Sequence, residues 1–171
     1  MGISNIQTDQ VRRIALLSMF TALLVVGRIY FAFIPNVQPV TAIIIIISFT
    51  FGMKDAIIVT TLSTLITNLY LGTGIWTLWQ IGSWAFIAVI SGLIGRWYER
   101  IPSHLLALYA GLCGLIYGFI VSIPSGLAIG NFWAYYIAGI TFDITHANGN
   151  ILFFYVLYPI LTKLFKRYIR I

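Results

Sequence analysis

Charge is what this chain has least of. Only 8% of its 171 residues are Asp, Glu, Lys or Arg, and four of them are acidic, against roughly 25% charged residues in a soluble domain. So little polarity cannot cover a water-facing surface, and 60% hydrophobic residues with a mean hydropathy of +0.98 point to a chain solvated by lipid. Cysteine is nearly absent too. Cys113 is alone, which excludes a disulfide framework and a thiolate cluster for zinc or iron–sulfur; a single thiol in an apolar run reads as a small buried hydrophobe. There is no phosphate-cradling glycine loop, no HExxH pair and no serine in a nucleophile-elbow context. Any ATP-driven work therefore falls to a partner. At about 20 residues per span, the length admits at most about six crossings, with no room for an appended nucleotide-binding or catalytic domain. The net charge of +6 then reads as a topology signal, not as a nucleic-acid surface.

What is present is a series of apolar segments. They run over about 11–34, 39–53, 56–71, 76–97, 105–123 and 148–165, and predict an all-α integral membrane protein. The expected architecture is one domain over 1–171, a compact bundle of six transmembrane helices. The stretch from Pro124 to Ala147 contains proline, several glycines and many aromatics, and reads as an irregular outer loop with a short helix near Phe132–Ile140. The first segment follows Arg12 and Arg13 but lacks a small-x-small cleavage site, so it reads as a retained helix. Arg12, Arg13, Lys54, Arg96, Arg100, Lys163, Lys166, Arg167 and Arg170 all fall on one side of such a bundle, whereas the connections near 35–38, 71–75 and 124–147 carry no Lys or Arg. Nine of ten basic residues on one side predict cytoplasmic N- and C-termini in a cell membrane. The tight turns Gly52–Asp55 and Glu99–Pro102 read as interface caps, and the tail from Lys163 to Arg170 as a segment among anionic headgroups.

The scarce polar groups gather at the opposite end. Arg28 lies 16 residues past Arg12, about 24 Å along a helix. Asn36, Gln38 and Thr41 follow in the first outer connection, Asn68 closes the third span, and Trp76, Trp79, Gln80 and Trp84 open the fourth. Tyr135, Asp143, His146 and Asn150 come with the last outer segment. An aromatic belt at the membrane interface accounts for tyrosines and tryptophans. It accounts less well for Arg28 and Asp143, because ionisable groups at membrane depth face a cavity or pair with each other. Asp143, His146 and Asn150, spaced i, i+3, i+7, share a helix face; Asp143 either caps the last helix and pairs with Arg28, or contacts ligand. These thirteen residues are the candidate substrate-binding set. One His and one Asp are too few for a zinc site, and no catalytic or metal-binding residue is assigned. On the first span Ala15, Ser18 and Ala22 form a stripe of small residues that admits close helix approach, within the bundle or from a partner.

Three stretches carry a resemblance: Gly27-Arg28 through Pro35-Asn36-Val37-Gln38-Pro39-Val40-Thr41; Gly72-Thr73-Gly74-Ile75-Trp76-Thr77-Leu78-Trp79-Gln80; and Phe142-Asp143-x-x-His146-Ala147-x-x-Asn150. With the six-span size and the Ser18-xxx-Ala22 spacing, the sequence resembles the substrate-binding S components of energy-coupling factor (ECF) vitamin transporters over nearly its whole length. The resemblance implies capture of a micronutrient near the outer surface under the first and third outer loops. It further implies docking through Ala15, Ser18 and Ala22 onto a transmembrane scaffold subunit driven by two ATP-hydrolysing subunits, and toppling to deliver the ligand inward. The Pro-Asn-Val-Gln-Pro and Trp-Thr-x-Trp-Gln stretches are most similar to the subgroup linked to cobalamin uptake. Cobalamin is thus the expected transported ligand, with no permanently bound cofactor. Tryptophan faces and amide side chains suit a corrinoid, whereas pantothenate or folate needs a carboxylate anchor, for which Arg28 is the basic candidate. Two other classes compete: a stand-alone proton-coupled transporter using Arg28, Asp143 and His146 as a relay, and a small membrane enzyme.

Overall fold

The computed structural model describes the backbone of residues 2–168 and the side chains of residues 10–165; Lys166, Arg167 and Arg170 of the basic tail have side chains outside that range. The chain is all-helical. Helices α1 (Gly2–Tyr30), α2 (Val40–Phe51), α3 (Met53–Leu71), α4 (Trp76–Ile94), α5 (Ser103–Ile129) and α6 (Phe132–Tyr168) follow in order, with one 3-10 turn at Tyr98–Arg100 between α4 and α5. Three of them are long and apolar enough to cross a membrane: Gln10–Tyr30 within α1, Trp76–Ile94 and Ser103–Ile129.

The middle of the bundle belongs to α2. Every residue from Val40 to Phe49 is buried, including the run Ile43–Ile47, as expected of a helix that is apolar all round. Its 12 residues reach only about 18 Å, so α2 is a core plug shorter than a hydrocarbon layer of about 30 Å. Gly52 ends it at φ 92°, a backbone setting that favours glycine, and α3 starts at the next residue. The second apolar segment therefore stops at Phe51, short of 53.

The largest departure from the sequence reading lies at 124–147. In place of an irregular loop, α5 continues through Pro124 to Ile129, and α6 begins at Phe132 and runs unbroken past Ala147. Only Gly130, in the left-handed region at φ 80°, and Asn131 intervene. The Asn131 side-chain oxygen accepts the Ala134 N–H at 3.0 Å, a helix N-cap. Phe119, Phe132 and Tyr136 then pack ring against ring. Proline and glycine, which read as loop signals, here sit in a close helical hairpin.

Glycine makes that hairpin possible. A Cβ on Gly114 would lie 2.6 Å from the Asn150 amide nitrogen, and one on Gly118 would overlap the Asp143 carboxylate. At the end that carries the basic residues, packing is aromatic: Phe165 meets Phe20 and Phe51 edge to face, and Phe49 stacks on Tyr98. There Arg13 Nε donates to the Asp55 carboxylate at 3.1 Å, tying α1 to the start of α3.

Candidate functional site

At the other end, polar side chains from α1, α2, α3, α4 and α6 form two linked networks beside one cavity. The first is centred on Arg28, near the end of α1. Its Nη1 donates to Thr67 Oγ1 at 2.7 Å and its Nη2 to Gln80 Oε1 at 3.1 Å. Asn68 Nδ2 donates to the same Gln80 oxygen and to Thr77 Oγ1, each at 2.8 Å. Gln80 is thus held by two donors, and α1, α3 and α4 are fastened together. The guanidinium lies over the Trp84 ring, 5.2 Å from its centroid, within cation–π range.

The second network starts under that ring. Trp84 Nε1 donates to Thr41 Oγ1 at 3.0 Å, and Thr41 Oγ1 lies 3.2 Å from His146 Nε2. His146 Nδ1 is 2.8 Å from the Asn36 carbonyl oxygen. A carbonyl only accepts, so the proton sits on Nδ1, and Nε2 accepts from the Thr41 hydroxyl. Both ring nitrogens of His146 are therefore engaged. The imidazole acts as a brace from α6 to α2 and to the connection before α2. Asn36, at φ 57°, also donates its side-chain amide to the Phe142 carbonyl at 3.1 Å. One residue in a left-handed conformation, which Asn tolerates, thereby pins residues 31–39 against α6.

The cavity between these elements measures about 280 Å³. Arg28, Asn36, Gln38 and Gln80 supply its polar border; Phe31, Ile34, Val37, Leu71 and Tyr117 are among its apolar walls. Gly27 lets α1 come close to the start of α2, since a Cβ there would meet the Pro39 ring at 2.7 Å. Of the thirteen candidates, Arg28, Asn36, Gln38 and Gln80 line the cavity, while Asn68, Trp84 and His146 contact Gln80, Arg28 and Asn36 in turn, and Thr41 joins Trp84 to His146.

The remaining five lie apart from it. Trp76 is 47% exposed, with its ring folded back over Gly74. Trp79 is half-buried, and Tyr135 stands on the exposed side of α6. Asp143 and Asn150 are buried against Gly118 and Gly114 of α5. The expected Arg28–Asp143 ion pair does not form, because Asp143 is turned toward α5. Nor does Asp143 cap the last helix, which begins eleven residues earlier at Phe132 with Asn131 as its cap. Asp143 Oδ2 and both amide atoms of Asn150 have no hydrogen-bond partner among the described residues.

Thr67, Thr77, Phe31 and Tyr117 escaped the sequence reading. The first had a signal: Thr60, Ser63, Thr64, Thr67 and Asn68 recur at three- and four-residue spacing along α3, and all are buried. Tyr117 stacks on Trp84 at 4.6 Å and lies in an apolar run between Gly114 and Gly118, where only packing reveals it. The small stripe of α1 is different again. Ala15, Ser18 and Ala22 are exposed, on the side opposite buried Phe20, Leu24 and Arg28. Among the described residues no three His, Cys, Asp or Glu side chains come together to hold a metal ion.

No family model matches the chain, and neither a curated protein nor a solved structure matches it.

Proposed function

We propose that this chain is the substrate-capturing and translocating subunit of an ATP-driven micronutrient importer of the ECF type. In this reading it crosses the cell membrane as a six-helix bundle, and its basic end and both termini face the cytoplasm. The observation that carries it is a polar cavity at the end opposite the basic residues, lined from α1, residues 31–38, α3, α4 and α5 and braced by hydrogen bonds from α2 and α6. A bundle that needed only stability would fill that space with apolar side chains, since buried polar networks are costly unless complete. The exposed Ala15–Ser18–Ala22 stripe supports docking onto a scaffold subunit, because small residues let a second helix come close in lipid. Two ATP-hydrolysing subunits would complete the complex.

The relay reading gains less support. His146 has both nitrogens committed to Thr41 and Asn36, and Asp143 does not approach Arg28, so the three do not form a proton path. For the ligand, the corrinoid suggested by resemblance is several times larger than 280 Å³ and would require residues 31–39 to swing away from α6.

The test is copurification and uptake. The chain should copurify with ATP-hydrolysing subunits, and uptake of its vitamin should stop on ATP depletion while surviving loss of the proton gradient. Uptake by the purified chain alone in vesicles would refute the proposal. A binding screen of the purified chain against vitamins, cobalamin included, identifies the ligand.

A further inference from the structure

Among the described residues, the cation that lines the cavity has no counter-charge. Arg28 is 8% exposed, and its two hydrogen bonds end on the neutral oxygens of Thr67 and Gln80. Among the described residues its only acidic candidate, Asp143, is turned toward Gly118, and Asp55 is held by Arg13 at the opposite end. Arginine does not lose its proton in proteins, and a buried charge is ordinarily paired. The Trp84 face offsets part of the imbalance but carries no negative charge. A guanidinium has five N–H donors; two are used here, which leaves three for a ligand. Gln38, at the same cavity, has no hydrogen-bond partner among the described residues.

From this we infer that the ligand of this cavity is a small organic monocarboxylate whose carboxylate pairs with Arg28 and whose apolar body rests on Phe31, Val37 and Leu71. The inference rests on reading the cavity as the capture site. The planar fork of arginine matches a carboxylate in two parallel hydrogen bonds. One negative charge neutralises Arg28, whereas a phosphate dianion leaves one negative charge without a cationic partner. Size agrees. At roughly 30 Å³ per water, a cavity of about 280 Å³ holds about nine waters' worth of volume, and with its rim residues Ala32, Ile34, Pro35, Asn36 and Leu71 exposed it seats the charged end of a small ligand.

Benzoate, benzamide and phenyl phosphate separate these terms, since they share a ring and differ in the charge of one substituent. Tryptophan-fluorescence titration of the purified full-length chain should give at least tenfold tighter binding of benzoate than of the other two. Arg28→Gln should erase the preference over benzamide, and Arg28→Lys should keep it. Gln38→Ala, at the half-buried rim, should weaken benzoate severalfold, which keeps the test intact if the Arg28 variants do not fold. Equal affinity for benzoate and benzamide, tighter binding of phenyl phosphate, no saturable benzoate binding, or a preference that survives Arg28→Gln would each overturn the inference. Its failure is separable from that of the transport reading. Carboxylate discrimination without ATP-dependent uptake sinks transport alone, and ATP-dependent uptake of a neutral solute without that discrimination sinks the carboxylate alone.

Discussion

At one end of the bundle Arg28, Thr67, Asn68, Thr77 and Gln80 hold one another through side-chain hydrogen bonds around a cavity; at the other, Phe20, Phe51 and Phe165 fill the space ring against ring. Both regions join α1 to its neighbours, yet by different physics. Aromatic contacts are summed over area and leave nothing unsatisfied. A polar network is directional, and its one charged member retains unused donors. The aromatic end is therefore expected to set stability, and the polar end to set what binds.

The largest expected effect tests the aromatic end. Phe20→Ala should lower stability by about 3–5 kcal/mol, read as a loss of thermal stability, while ligand affinity of the folded fraction stays unchanged. A parallel loss of affinity would erase the division between the ends. Next comes Arg28→Gln, which should cost roughly a hundredfold in ligand affinity, since charged partners of buried pairs are worth about 2–5 kcal/mol. Thermal stability without ligand should hold or rise, because a buried cation is removed. A drop comparable to that of Phe20→Ala would make Arg28 a structural group.

Thr41→Val is the intermediate case. It leaves the Trp84 N–H and His146 Nε2 without their shared hydroxyl, at a cost of about 1–3 kcal/mol. Affinity should fall only modestly, because Thr41 lies outside the cavity lining; denaturation and titration of the same preparation separate the two effects. The smallest change is expected for Arg13→Ala. Its partner Asp55 is buried, but the Arg13 side chain is 59% exposed, and exposed ion pairs contribute little. Binding should not move, and unfolding should shift only slightly toward lower stability, as buried Asp55 loses its partner; a clear loss of affinity would show that the α1–α3 tie at the basic end reaches the cavity.

Much of the helical layout was legible because the helices are apolar runs of recognisable length. Helices α3 and α4 match their segments closely, as 53–71 against 56–71 and 76–94 against 76–97. The stretch 124–147 was not legible. Pro124, Gly126 and Gly130 are loop residues by local propensity, and what overrides propensity is the tertiary fit of α5 on α6, where glycines admit Asp143 and Asn150. The same fit withdrew those two residues from the cavity. Periodicity placed Asp143, His146 and Asn150 on one helix face, but a face can turn toward a neighbouring helix as readily as toward a ligand. Trp76 and Gln80 share a face of α4 as well, yet they part company because the Trp76 ring folds onto Gly74.

By itself, then, the sequence determined the helical class, its apolar character and the end at which polarity collects, because each follows from composition and from order along the chain. Which polar groups meet was decided by the tertiary structure alone. Arg28 meets Thr67 and Gln80 across 39 and 52 residues of chain, and His146 meets Asn36 across 110. Hydrogen bonds act within about 3 Å, and only the packing of α1, α3, α4 and α6 around α2 brings groups so far apart in sequence within that reach.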